Sequence, residues 1–122
     1  MSNGILLCDD LIFSSRITAT ARSQNLTVKT VRDPSRIPDL VNEEGATGAL
    51  LDLAFPGLNL VKLISELKAK CNSMPRIVGY GSHVDVEGLK AAREAGCDLV
   101  LPRSAFVEKL ETDLKDWLNA SE

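Results

Sequence analysis

Ile5-Leu6-Leu7-Cys8-Asp9-Asp10 decides how the rest of this chain is read. Four apolar residues run without a polar interruption and stop at two adjacent carboxylates. A continuous run of this length fits a strand covered on both faces. Working outward, similar short runs recur at Val28 to Val31, Ala49-Leu50-Leu51, Ile77-Val78 and Leu99-Val100-Leu101. The second of the five differs. Thr27-Val28-Lys29-Thr30-Val31 alternates polar with apolar residues and carries a lysine, as suits an edge strand.

The segments between these runs carry helical periodicity. Leu60, Leu63, Ile64, Leu67 and Cys71 form one stripe at i, i+3, i+4, i+7 and i+11. In the last segment Val107, Leu110, Leu114, Trp117 and Leu118 share a face, with Ser104 as the expected N-cap. The fourth helix is expected to begin after Asp85 and to end at Gly96. The second starts near Asp33-Pro34 and buries Ile37, Leu40 and Val41, with Pro38 disturbing its first turn. The first follows Asp10. Its Ser14, Ser15, Thr18 and Thr20 lower its helix propensity, but Phe13, Ile17 and Ala21 share a face.

Strict alternation of strand and helix implies a parallel sheet with helices on both faces. Five strands and five helices in 122 residues fit an α/β, three-layer α/β/α, flavodoxin-like fold with strand order 2-1-3-4-5, one domain spanning residues 1–122. Composition agrees: 44% hydrophobic residues supply a core, and 25% charged residues an ordinary surface. The net charge of −3, with scattered basic residues, argues against direct nucleic-acid binding. No apolar run approaches the roughly 20 residues that cross a bilayer. Cys8, Cys71 and Cys97 are odd in number, widely spaced and set among apolar residues, so they read as buried, reduced thiols. Neither a membrane nor a secretory leader is indicated, and a reducing cytoplasm is the expected location.

Ligands in such sheets bind beyond the carboxyl ends of the strands, where the strand order reverses. That place lies between strands one and three. Asp9 and Asp10 follow strand one, and Asp52 ends strand three. Three carboxylates meeting there repel one another unless a cation is present, and Mg²⁺ with oxygen ligands is the expected one. Each residue also has a plainer reading: Asp10 as a helix cap, Asp52 as a loop residue before Pro56-Gly57. No glycine-rich loop follows strand one, which disfavours a nucleotide site.

These residues also carry a resemblance. Ile5-Leu6-Leu7-Cys8-Asp9-Asp10 is similar to the first strand and acidic pair of response-regulator receiver (CheY-like) domains. Leu50-Leu51-Asp52-Leu53-Ala54-Phe55-Pro56-Gly57-Leu58-Asn59 resembles the phosphoacceptor segment of that family, an aspartate followed four residues later by Pro-Gly. Ala95-Gly96-Cys97-Asp98 resembles its approach to strand five. The resemblance implies a stand-alone receiver in two-component or phosphorelay signal transduction, a phosphoprotein rather than an enzyme beyond its own phosphorylation and dephosphorylation. Asp52 would accept the phosphoryl group from a histidine kinase or phosphotransfer protein. Mg²⁺ would be held by Asp10, by Asp9 mainly through water, by Asp52 and by the backbone carbonyl of Ala54. A downstream protein would read the fourth helix, strand five and the fifth helix, and the kinase would dock near Leu11, Ile12 and Ser15.

The resemblance fails in places. The family's lysine after strand five falls on Arg103, which either reaches a phosphoryl oxygen or is a solvated residue before the last helix. Its Thr or Ser at the end of strand four falls on Tyr80 or Gly81, with Ser82 the nearest hydroxyl. Its aromatic position in strand five falls on Val100. His83, the single histidine, is either a solvated loop residue or a neighbour of the crevice. Tyr80 and Trp117 read as packing groups. The alternative function is therefore a pseudo-receiver, a protein-interaction module that works without phosphorylation.

Overall fold

The computed structural model describes residues 2–119. Five strands alternate with helices: β1 (Gly4–Leu7), α1 (Leu11–Ser23), β2 (Val28–Val31), α2 (Ile37–Glu44), β3 (Gly48–Asp52), α3 (Leu60–Lys70), β4 (Arg76–Gly81), α4 (Val86–Ala95), β5 (Leu99–Pro102) and α5 (Arg103–Trp117). The sheet is parallel throughout, in the order β2-β1-β3-β4-β5. The expected order and the edge position of β2 both hold.

The apolar runs are continuous because successive side chains enter different cores. Leu6, Leu50, Val78, Tyr80 and Leu101 point to the face covered by α1 and α5, where they meet Phe13, Ile17, Phe106, Leu110 and Leu114. Ile5, Leu7, Ala49, Leu51 and Ile77 point to the other face, against Ile37, Leu40, Leu63, Ile64 and Leu67 of α2 and α3. Val100 joins Leu89 and Ala92 under α4. One strand residue in two therefore serves each layer, and no position in β1 or in β3 before Asp52 is left for a polar side chain.

Caps set the helix boundaries. Asp10 accepts the Phe13 amide at 3.1 Å, Asn59 accepts that of Lys62 at 3.1 Å, and Asp85 accepts that of Gly88 at 3.0 Å. Gly96 ends α4 with φ of 119°, which a side chain would strain. Asp33 caps a short 3₁₀ turn, Pro34–Arg36, that leads into α2 and places Pro38 in its first turn. Asp98, just before β5, accepts the Ile77 amide at 2.7 Å and so ties the entry of β5 to β4.

Three expectations need correction. Strand one ends at Leu7, one residue before Cys8, although Cys8 stays buried. Ser104 is not the cap of the last helix: α5 starts at Arg103, with Pro102 before it, because the fixed φ of proline already presets the entry. Cys71 and Cys97 are only half-buried, since Cys71 is the C-cap of α3 and Cys97 follows the turn at Gly96. All three thiols are free.

The end of the sheet away from the carboxyl termini is closed by Leu118. A Cβ built on Gly48 would lie 2.6 Å from the Leu118 Cα and 2.9 Å from the Trp117 carbonyl oxygen. Thr47 binds the Leu118 carbonyl through its hydroxyl at the same place. Because the obstacle is backbone, Gly48→Ala is expected to push the end of α5 off the sheet. It should lower stability in urea unfolding by about 1–3 kcal/mol.

Candidate functional site

The register brings the site together. Leu7 pairs with Leu51, so the segments leaving β1 and β3 emerge side by side at the strand-order reversal. Asp52 also stands opposite Tyr80 of β4. Asp52 is half-buried, while Asp9 and Asp10 are exposed.

Each carboxylate has a partner. The Ala54 amide donates to Asp52 Oδ1 at 2.9 Å and closes the turn after β3. Asp10 Oδ1 caps α1, and its Oδ2 accepts from Arg103 Nη2 at 3.1 Å. Asp9 Oδ1 faces Arg32 Nε at 4.0 Å. The Arg103 guanidinium also lies over Phe13, with its carbon 4.1 Å from the ring centroid. Arg103 is thus held from two sides, although its side chain stays exposed. Sequence spacing places Arg103 after strand five, but 93 positions separate it from Asp10, and nothing local signals that pair.

The local field follows. Loss of water raises the pKa of Asp52 above its ordinary value, opposed first by the Ala54 amide and then by Arg103. The like charges of Asp10 and Asp9 add smaller upward pushes. The Phe13 amide lowers Asp10, with burial opposing and Arg103 also lowering. So the arginine acts on Asp52 more strongly than either neighbouring aspartate does.

A cavity of about 650 Å³ opens in front of Asp52. Ala54, Ser82, His83, Arg103 and Ser104 line it. Ser82 therefore reaches the crevice, although its hydroxyl already accepts the Val84 amide at 3.3 Å. His83 is both exposed and at the cavity, which reconciles its two readings. Ser104, set aside by sequence as a cap, is a lining residue instead.

The oxygen-rich donors suit Mg²⁺ in kind, but Asp10 is already paired with a cation. Mg²⁺ needs carboxylate oxygens at about 2.0–2.1 Å in octahedral geometry. Both Asp10 oxygens are engaged, one of them by a cation. Among the described residues, no group of three His, Cys, Asp or Glu side chains is gathered closely enough to hold a metal ion.

Tyr80 forms the floor. It is fully buried between Phe13 and Phe106, with ring centroids 5.1 and 4.5 Å away. Its hydroxyl meets no nitrogen or oxygen partner, and burial first, then the Cys8 thiol beside it, drives its pKa far upward. Tyr80→Phe is therefore expected to raise stability by about 1 kcal/mol in urea unfolding, because it removes an unsatisfied buried group.

The Asp52 shift predicts a pH effect of definite sign. A raised folded-state pKa means that the charged carboxylate costs stability, fully above that pKa and not at all below the unfolded value of 3.8. Asp52→Asn should therefore stabilise the fold at pH 7, by less than about 1 kcal/mol given its partial exposure. The gain should vanish as thermal or urea unfolding is followed down through pH 3.8.

No protein-family model matches the sequence, and no curated protein matches it. Solved structures do. The receiver domain of the TMAO respiratory system response regulator TorR superposes with a TM-score of 0.82 at 16% identity, covering all of both chains. The receiver domain of the sensor histidine kinase PA1611 from Pseudomonas aeruginosa PAO1, which has a magnesium ion coordinated in its active-site cleft, gives 0.76 at 20% identity over 98% of this chain and all of that one. A signal receiver domain from Bermanella marisrubri gives 0.72 at 22% identity over 90% and 96%. Five parallel strands in this order, with an aspartate at the end of β3 facing the reversal point, make this chain a protein with the fold of response-regulator receiver domains.

Proposed function

We propose that this chain is a receiver that accepts a phosphoryl group on Asp52 in two-component signal transduction and then signals by binding a downstream protein. The observation that carries this reading is Asp52 itself. It is half-buried, has one oxygen fixed by the Ala54 amide, and faces a cavity rimmed by a cation and two hydroxyls.

In this reading Asp52 Oδ2 attacks the phosphorus of the donor. The bond from phosphorus to the donor imidazole nitrogen, or to the acyl oxygen of a small phosphodonor, breaks. The electron pair leaves with the donor, and an aspartyl phosphate forms. Little covalent help is needed, since such transfers depend on alignment and on neutralised charge. Arg103 supplies the charge, and Ser82 and Ser104 supply hydroxyls for the equatorial oxygens. The raised pKa of Asp52 fits a nucleophile whose ionised form is held in a partly dry site. Leu11 and Ile12, 68% and 85% exposed beside Asp10, offer an apolar landing for the histidine kinase or phosphotransfer protein. None of the helices among the described residues is long and apolar enough to cross a membrane, which fits the cytoplasmic setting of this reading.

The second reading, a constitutive interaction module, is favoured by one observation. Arg103 already neutralises Asp10, so the crevice is at rest without any ligand. Intact mass after incubation with acetyl phosphate separates the two, run with and without Mg²⁺. A gain of one phosphoryl group, absent in Asp52→Asn, is expected. No gain with acetyl phosphate or a phosphorylated histidine donor would leave the interaction module.

A further inference from the structure

Arg103 is the first residue of α5, and Pro102 before it has φ of −58°, so the side chain leaves from a fixed point at the lip of the crevice. Its guanidinium donates to Asp10 Oδ2 at 3.1 Å and rests on the Phe13 ring at 4.1 Å. The other Asp10 oxygen receives the Phe13 amide at 3.1 Å. Each Asp10 oxygen thus has a partner, an amide on one and a cation on the other. Phe13 serves both contacts, because its amide sets the carboxylate and its ring seats the arginine.

A lysine could share such a crevice with a metal, since its ammonium is a compact charge on a flexible stem. A guanidinium stacked on a ring and bonded to a carboxylate is far less free to leave. We propose that Arg103 is the resident cation of this crevice, standing where a divalent ion would sit, so that the two exclude each other and the resting protein binds Mg²⁺ weakly. Even a guanidinium displaced to about 4 Å from the ion, in a water-filled crevice, lowers the ion's affinity by roughly ten- to thirtyfold. Part of the negative charge at Asp10 and Asp52 is then offset by the chain itself.

The test is a titration with Mg²⁺, and with Mn²⁺ as a paramagnetic probe, of the wild-type protein, Arg103→Ala and Arg103→Lys at constant ionic strength. Binding is followed by calorimetry and by broadening of the Asp10 and Asp52 amide resonances, and thermal unfolding establishes that each variant is folded. Arg103→Ala is expected to bind Mg²⁺ at least tenfold more tightly than wild type, with Arg103→Lys in between. Should Arg103→Ala not fold, Arg103→Lys carries the comparison. Equal affinity in wild type and variants overturns the proposal, and so does a lack of binding in all three. None of these outcomes depends on whether Asp52 accepts a phosphoryl group, so this inference and the phosphoacceptor reading fail separately.

Discussion

The parallel ladder between β1 and β3 is the constraint from which the site follows. Leu7 and Leu51 lie side by side in that ladder, and the chain leaves both strands in the same direction. Because β2 lies on the far side of β1 and β4 on the far side of β3, the two connections diverge and leave a crevice between them. The ladder holds because both faces are covered. Leu6 and Leu50 go to one core and Leu7 and Leu51 to the other, and all four are fully buried. A one-residue slip would exchange the two sets and carry Asp52 away from Asp9 and Asp10.

Given that geometry, the electrostatic problem is to keep three carboxylates near one another. The fold handles each differently. Asp9 stays in solvent near Arg32, Asp10 is spent on a helix cap and an ion pair, and Asp52 alone is partly desolvated. The Arg103–Asp10 pair is exposed at both ends, so water screens it and it adds little to folding. Its importance is local. A cation in the first turn of a helix opposes the macrodipole, so Arg103 at the start of α5 is unfavourable until Asp10 and Phe13 receive it. That dependence makes the arrangement specific to this crevice.

Much of this was legible in the sequence, for physical reasons. Uninterrupted apolar runs identified doubly covered strands, and Lys29 and Thr30 identified the edge. The caps Asp10, Asp85 and Gly96 fell where their chemistry requires. Asp52 could be placed because a carboxylate ending a buried strand has few other places to go. What was not legible depended on distance in space. The pairing of Arg103 with Asp10 and Phe13 joins residues about 90 positions apart, and neither partner looks unusual locally. The start of α5 was misplaced because Ser104 is the better cap by chemistry, while Pro102 sets the entry by backbone geometry. The unsatisfied hydroxyl of Tyr80 is invisible in sequence, since nothing there says whether a buried tyrosine finds a partner.

Tyr80 also connects the crevice to the opposite end of the sheet. Arg103 rests on Phe13, Phe13 on Tyr80, Tyr80 on Phe106, and Phe106 is stacked on Trp117 at 4.8 Å. Trp117 precedes Leu118, which closes the far end against Gly4 and Gly48. One line of aromatic contacts therefore runs the length of α5 beneath the helix. Contiguity of this kind is not coupling, which needs an element with two arrangements. Within this line Tyr80 carries a buried hydroxyl without a partner, and Arg103, at the crevice, carries a breakable polar contact. Val100, set under α4 with Leu89 and Ala92, takes no part in this line. The fold thus places its uncommitted polar group in β4, next to Asp52, and the corresponding position in β5 is filled by an aliphatic side chain that only packs.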